Sequence, residues 1–155
     1  MSLNLFEVQE AIVAKIREEF VNYEVHEDAL HDDYPIRLDA NGKLRSYFVV
    51  RFGPARRTAG GGNMGNQRND EFYSTMDLSV VAREGKIARQ VMSIAHDRLE
   101  GWAPEHGEKL TGGGGTGYFT ILSNDARPTA YIVEMRFRFQ FNGQSVGSAI
   151  PVPEP

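Results

Sequence analysis

Cysteine is absent from the chain, which excludes disulfides, thiolate zinc sites, iron–sulfur clusters and a cysteine nucleophile together. Basic charge is not in excess either. There are 17 Lys and Arg against 21 Asp and Glu, a formal net charge of −4, so no global field draws the chain to nucleic acid. No apolar run approaches the ~20 residues that cross a bilayer. Met1 to Glu10 carries no basic stretch leading into an apolar one, so no signal peptide is expected. There is no internal repeat. What is present suits one domain: 155 residues, 41% hydrophobic and 25% charged, long enough to bury its own core. The one compositional excess is 16 glycines.

Leu5, Val8, Ala11, Ile12, Ile16 and Phe20 recur at helical spacing, with Asn4 and Glu7 placed as a capping box. A first helix is predicted there, followed by a short strand at Val21, Tyr23 and Val25. Residues 24–33 hold Glu24, Glu27, Asp28, Asp32 and Asp33 with no Lys or Arg, and Pro35 follows. Without an apolar period, this segment reads as an exposed acidic loop. Asn41-Gly42 is a turn signal.

Three long strands carry the clearest pattern. In residues 44–52, Leu44, Phe48, Val50 and Phe52 oppose Arg45, Tyr47 and Arg51. In 72–83, Phe72, Met76, Leu78, Val80 and Ala82 oppose Thr75, Asp77, Ser79 and Arg83. In 131–141, Tyr131, Val133, Met135, Phe137, Phe139 and Phe141 alternate with Ile132, Glu134, Arg136, Arg138 and Gln140. Period two predicts one buried and one polar face, the pattern of an antiparallel sheet. Ile87, Val91, Ile94, Ala95 and Leu99 mark a second helix over about Lys86 to Glu100, ended by Gly101. Tyr118 to Leu122 reads as a strand beside the last one. The predicted fold is α+β: a single twisted antiparallel β-sheet of about four to five strands with two α-helices packed on one face. The domain covers 1–142, and 143–155 is an extended Gly/Pro-rich C-terminal tail.

The glycines produce motif matches whose contexts fail. Gly60, Gly62 and Gly65, and again Gly112, Gly114 and Gly117, fit G-x-G-x-x-G. A dinucleotide turn must leave a strand and open a helix; here a polar run follows the first match and a strand the second. Gly143-Gln-Ser145-Val-Gly147 fits a nucleophile elbow, but no His follows Ser145 and Pro151 forbids an early helix. His26, Asp28, His31, Asp32 and Asp33 lack tight metal-ligand spacing. His96 reads as a helix-boundary residue, and His106 has no evident partner. No catalytic residue, cofactor or metal ligand is therefore assigned. Gly53 to Glu71 is far longer than the roughly 2–5 residues of a hairpin loop, and it contains Arg56, Arg57, Asn63, Met64 and Arg68. It reads either as a solvated loop or as an arm that orders against another subunit. The charged strand face likewise reads as solvated surface or as an interface between identical subunits.

Arg45-Ser-Tyr-Phe-Val-Val-Arg-Phe-Gly-Pro54, the Gly/Arg loop, Phe72 to Ala82, and the helix from Lys86 ending Leu99-Glu-Gly-Trp102 form an ordered pattern. With the strand ending Phe137-Arg-Phe-Gln-Phe-Asn142, this pattern resembles the tail terminator (tail completion) proteins of long-tailed, siphovirus-type bacteriophages over roughly residues 1–142. The Gly112–Gly115 run and the Pro-rich tail depart from it. The resemblance implies a virion structural protein, assembled in the host cytoplasm and placed at the head-proximal end of the tail, with no catalysis and no cofactor. It implies a homohexameric ring that caps the tube, ends tail polymerisation and joins the head-completion or connector protein. The partners are then other copies of itself, the major tail tube protein and that connector, with no membrane. Genomic DNA is only a passing, non-specific contact through the lumen. On this reading Arg56, Arg57, Asn63, Met64 and Arg68 lie at a subunit or tube interface. Glu27, Asp28, Asp32 and Asp33 face the lumen. Another neck or tail-tube protein of the same virion is the nearest alternative. A small α+β ligand-binding domain or enzyme, with Tyr47, Tyr73, Trp102 and Tyr118 lining a pocket, is the other.

Overall fold

A computed structural model describes residues 5–28, 38–57, 71–105, 107–112, 120–121, 130–142 and 153–155. The elements are α1 (Leu5–Glu19), β1 (Glu24–Glu27), β2 (Tyr47–Phe52), β3 (Arg56–Arg57), β4 (Glu71–Ala82), α2 (Gly85–Leu99), β5 (Thr111–Gly112), β6 (Thr120–Ile121) and β7 (Tyr131–Asn142). One sheet runs in the order β1-β2-β4-β7-β5, with β3 also on β4 and β6 also on β7. The class is α+β, with both helices against the sheet.

Helix α1 buries Val8, Ile12, Val13 and Ile16, and α2 buries Ala88, Val91, Met92, Ala95 and Leu99. These stripes meet Phe48, Val50, Met76, Leu78, Phe137 and Phe139 in the main core, each such side chain stabilising the fold by about 1.5–3 kcal/mol. Ile94, placed by its spacing on the α2 stripe, is 38% exposed; Met92 occupies the buried position instead. Glu84 gives α2 no side-chain cap. At the other end Gly101 takes φ +80°, the left-handed conformation that glycine adopts without a Cβ penalty, and Trp102 folds back onto the core.

The sheet differs from the sequence expectation in four respects. First, it is mixed: β1 runs parallel to β2, with Glu24 opposite Tyr47 and Glu27 opposite Val50. The connection, residues 28–46, exceeds the roughly dozen residues that a parallel crossover needs, so nothing forces a hairpin here. Second, the segment expected to be an acidic loop begins as this strand. Val25 packs on the main core, and the His26 ring stands edge-on to Tyr47 at 5.3 Å, so tertiary pairing overrides the acidic composition. Third, Arg56 and Arg57 belong to a strand rather than a loop, opposite Tyr73 and Phe72 of β4. Fourth, the face opposite the helices is apolar at one end. Leu44, Tyr47, Val49, Val81, Ala130 and Ile132 form a second buried cluster there, so Leu44 sides with Tyr47 rather than with Phe48.

A β-bulge joins β2 to β3. Phe52 pairs with Met76, and continuing that register would set Ala55 opposite Tyr73. Arg56 holds that place instead, so one extra residue has entered the strand. Pro54 has no N–H to give to a ladder, which suits a bulge. Gly53 donates to Thr75 O at 2.8 Å and accepts from Ser74 Oγ at 2.8 Å, and a Cβ on Gly53 would collide with Thr75 Oγ1.

Along the outer side of β7, β6 pairs at Ile132 and Tyr131, and β5 at Arg138 and Phe137. Gly112, part of a glycine motif in the sequence, lies in β5. A Cβ there would meet Phe137 Cε1 at 2.6 Å, and its N–H donates to Glu100 Oε2. This glycine serves close packing between the end of α2 and β7.

Candidate functional site

The face of the sheet away from the helices is graded along its length. Next to the buried cluster, Arg51 Nη2 donates to Glu134 Oε1 at 2.8 Å, and Ser79 Oγ donates to the same oxygen at 3.0 Å. Register explains the contact: Ser79 pairs with Val49 on one side and Glu134 on the other, leaving Arg51 and Glu134 on one face, offset by one row and meeting across β4. The Nε of Arg51 is buried without a hydrogen-bond partner among the described residues. In the next row Arg51, Asp77 and Arg136 lie side by side. Arg136 holds both Asp77 oxygens, at 2.7 and 3.1 Å. The Asp77 hydrogen bond, then its charge, raise the Arg136 pKa above the ordinary guanidinium value.

Further along, the described side chains on this face carry no carboxylate. Arg56, Tyr73 and Gln140 share a row across three strands, and the Arg138 guanidinium lies 4.1 Å over the Tyr73 ring. Arg56, Arg138 and Gln140 are exposed. Neither arginine forms an ion pair among the described residues. The pairings on this face stabilise little: an exposed ion pair contributes about 0.2–1 kcal/mol and an exposed cation–π contact about 0.5–1 kcal/mol. The face therefore presents a cationic, aromatic platform beside a self-neutralised charge ladder. The two signs expected to set register between subunits are partly spent within one chain, in Arg51–Glu134 and Arg136–Asp77.

The expected site residues divide accordingly. Arg56 stands on the platform, and Arg57 continues β3. Asn63, Met64 and Arg68 lie outside the described residues. Glu27 ends β1, 3.5 Å from Arg17 of α1. Asp28 follows at φ 58° with its N–H donating to Val50 O at 2.8 Å. Asp32 and Asp33 lie outside the described residues. His26 Nε2 sits 3.1 Å from Glu24 Oε2, and no group of three or more His, Asp or Glu among the described residues could hold a metal. His96 is half-buried, 3.5 Å from Glu100. Of the aromatics considered for a pocket, Tyr47 is buried in the second cluster. Tyr73 lies at the far end of the same face, and Trp102 is on the helix side under Lys15. These three do not converge, and Tyr118 lies outside the described residues.

The chain matches no protein-family model and no curated protein.

No helix among the described residues is long and apolar enough to cross a membrane. Sequence reasoning missed the Arg138–Tyr73 contact, because it depends on which strands are neighbours and in what register. A signal for the bulge was present in Gly53-Pro54, since a proline inside a strand pattern marks an edge or a bulge.

Proposed function

We propose that this chain is a virion structural protein of a long-tailed bacteriophage, a tail-terminator-like subunit forming a homohexameric ring at the head-proximal end of the tail. In that place it ends polymerisation of the tail tube and supplies the joint to the head-completion or connector protein. Its role is assembly, not catalysis. The observation that carries the reading is the order α1, β1, β2, β4, α2, β7 within one sheet, both helices on one face, the same order that underlies the sequence resemblance. A subunit of this kind leaves the charged end of the other sheet face, where Arg56, Arg138 and Gln140 are exposed, available to neighbours. Glu27 and Asp28, at the end of the edge strand β1, are proposed to face the lumen, where negative charge keeps passing DNA from adhering. The test is cryo-EM of assembled tails. Density fitting this chain as a ring between tube and connector is expected; tails whose head-proximal end holds no such density would sink the reading.

A further inference from the structure

Helix α1 carries unspent charge of the opposite sign. At 3.6 residues per turn, Glu7, Ala14 and Glu18 fall within about 40° of one another, with Glu10 about 60° to one side. All four are exposed, and the three glutamates form no ion pair among the described residues. The cations of the helix are occupied elsewhere. Lys15 binds Glu19 at 2.7 Å and lies over Trp102, while Arg17 reaches Val25 O at 3.2 Å and Glu27 at 3.5 Å. What remains is an acidic stripe about 16 Å long, with a small residue at its centre. It lies on the helical side of the molecule, and the Arg56–Tyr73–Arg138 platform lies on the opposite face of the sheet.

We infer that the platform of one copy receives the α1 acidic stripe of a second copy. The charges are complementary: two arginines without carboxylate partners among the described residues against three glutamates without cationic ones there. The shapes match too, a helix laid across the exposed end of a sheet face, as the chain's own helices lie across the other face. Ala14 leaves room at the centre of the stripe for the Arg138 guanidinium that lies over Tyr73. The two surfaces are different patches on opposite sides of the molecule, so the contact is heterologous and repeats head to tail, generating a closed ring or an open filament. This contact rests on the reading of the chain as an assembling subunit and names the surfaces that join one copy to the next. The β2–β3 bulge has a role in it, because it sets Arg56 rather than Ala55 opposite Tyr73.

The test uses charge reversal and mixing of the full chain. One variant carries Arg56→Glu and Arg138→Glu; the other carries Glu7→Lys, Glu10→Lys and Glu18→Lys. All five positions are exposed, and circular dichroism and thermal melting check that both variants fold. Sedimentation velocity up to roughly 100 μM is expected to show salt-sensitive self-association of the parent chain, weakened on the order of tenfold or more in either variant alone. An equimolar mixture of the two variants is expected to restore it, since each then offers the other a complementary pair of surfaces. A control with Arg45→Glu and Arg89→Glu, both exposed and off the platform, is expected to associate as the parent does. A parent that stays monomeric, reversals without effect, or a mixture that does not recover would each overturn the inference. So would loss of duplex DNA binding in the platform variant with self-association intact, since the platform would then serve nucleic acid. Tail occupancy is measured separately, so terminator density with unaltered self-association removes this contact and leaves the assembly role standing. The converse result removes that role and leaves the contact.

Discussion

Asp39 shows how a single carboxylate shapes the start of the sheet. Its Oδ1 accepts the N–H groups of Asn41 at 2.8 Å and Lys43 at 2.9 Å, and Gly42 turns the corner at φ +74°. The Lys43 N–H is the main cause that holds the Asp39 pKa below its ordinary value, with the Asn41 N–H assisting and partial burial opposing. Glu19 is lowered as well, chiefly by its hydrogen bond from Lys15. A depressed folded-state pKa contributes stability that is complete above the ordinary carboxylate value and is lost as pH falls through the folded one. Asp39→Ala is therefore expected to lower Tm at about pH 7 and to lose that deficit towards about pH 2. Thermal melts of both chains across the acid range provide the check; a constant difference would refute the assignment.

Among the elements, β7 was the most legible in the sequence. Phe137, Phe139 and Phe141 alternate with Arg136, Arg138 and Gln140 so strictly that the buried set could be read directly, and all three phenylalanines are in the core. Both helices were legible for the same reason, Ile94 apart. Two other features were not. Alternation reports which face a side chain takes, but not which strand lies beside it, so the parallel pairing of β1 with β2 left no trace in the pattern. The second cluster was overlooked although the doublets Val49-Val50 and Val80-Val81 signal burial on both faces. The contacts of the charged face follow from strand order and register together, and so became visible only with the fold. The bulge makes a prediction of its own. Gly53→Ala places a Cβ against Thr75 Oγ1 and is expected to destabilise by roughly 1–3 kcal/mol, as overpacking does. Adding Thr75→Ala removes the colliding atom and is expected to recover part of that loss. Urea denaturation of the two single variants and the double variant measures the coupling; simple additivity would show that the collision does not govern the cost.

At the scale of the whole molecule, the β4–β7 pair is the spine, matched residue for residue from Glu71–Asn142 to Ala82–Tyr131. Every other layer leans on it: β2 and β3 along one side, β5 and β6 along the other, and both helices on one face. A chain cut before Ala130 loses that spine along with Phe137, Phe139 and Phe141. It is expected to show no cooperative thermal transition by circular dichroism; a sharp transition in the fragment would show that α1, β2 and β4 suffice. The same dependence orders events during synthesis. The apolar stripe of α1, with Val8, Ile12 and Ile16, leaves the ribosome before the rest of the core, yet α2, against which it packs, begins more than sixty residues later. Until then the helix has a greasy side and no home. Pairings this distant in sequence close slowly, on the order of milliseconds to seconds, so the nascent chain passes through an interval in which its first element is the most exposed to misassociation.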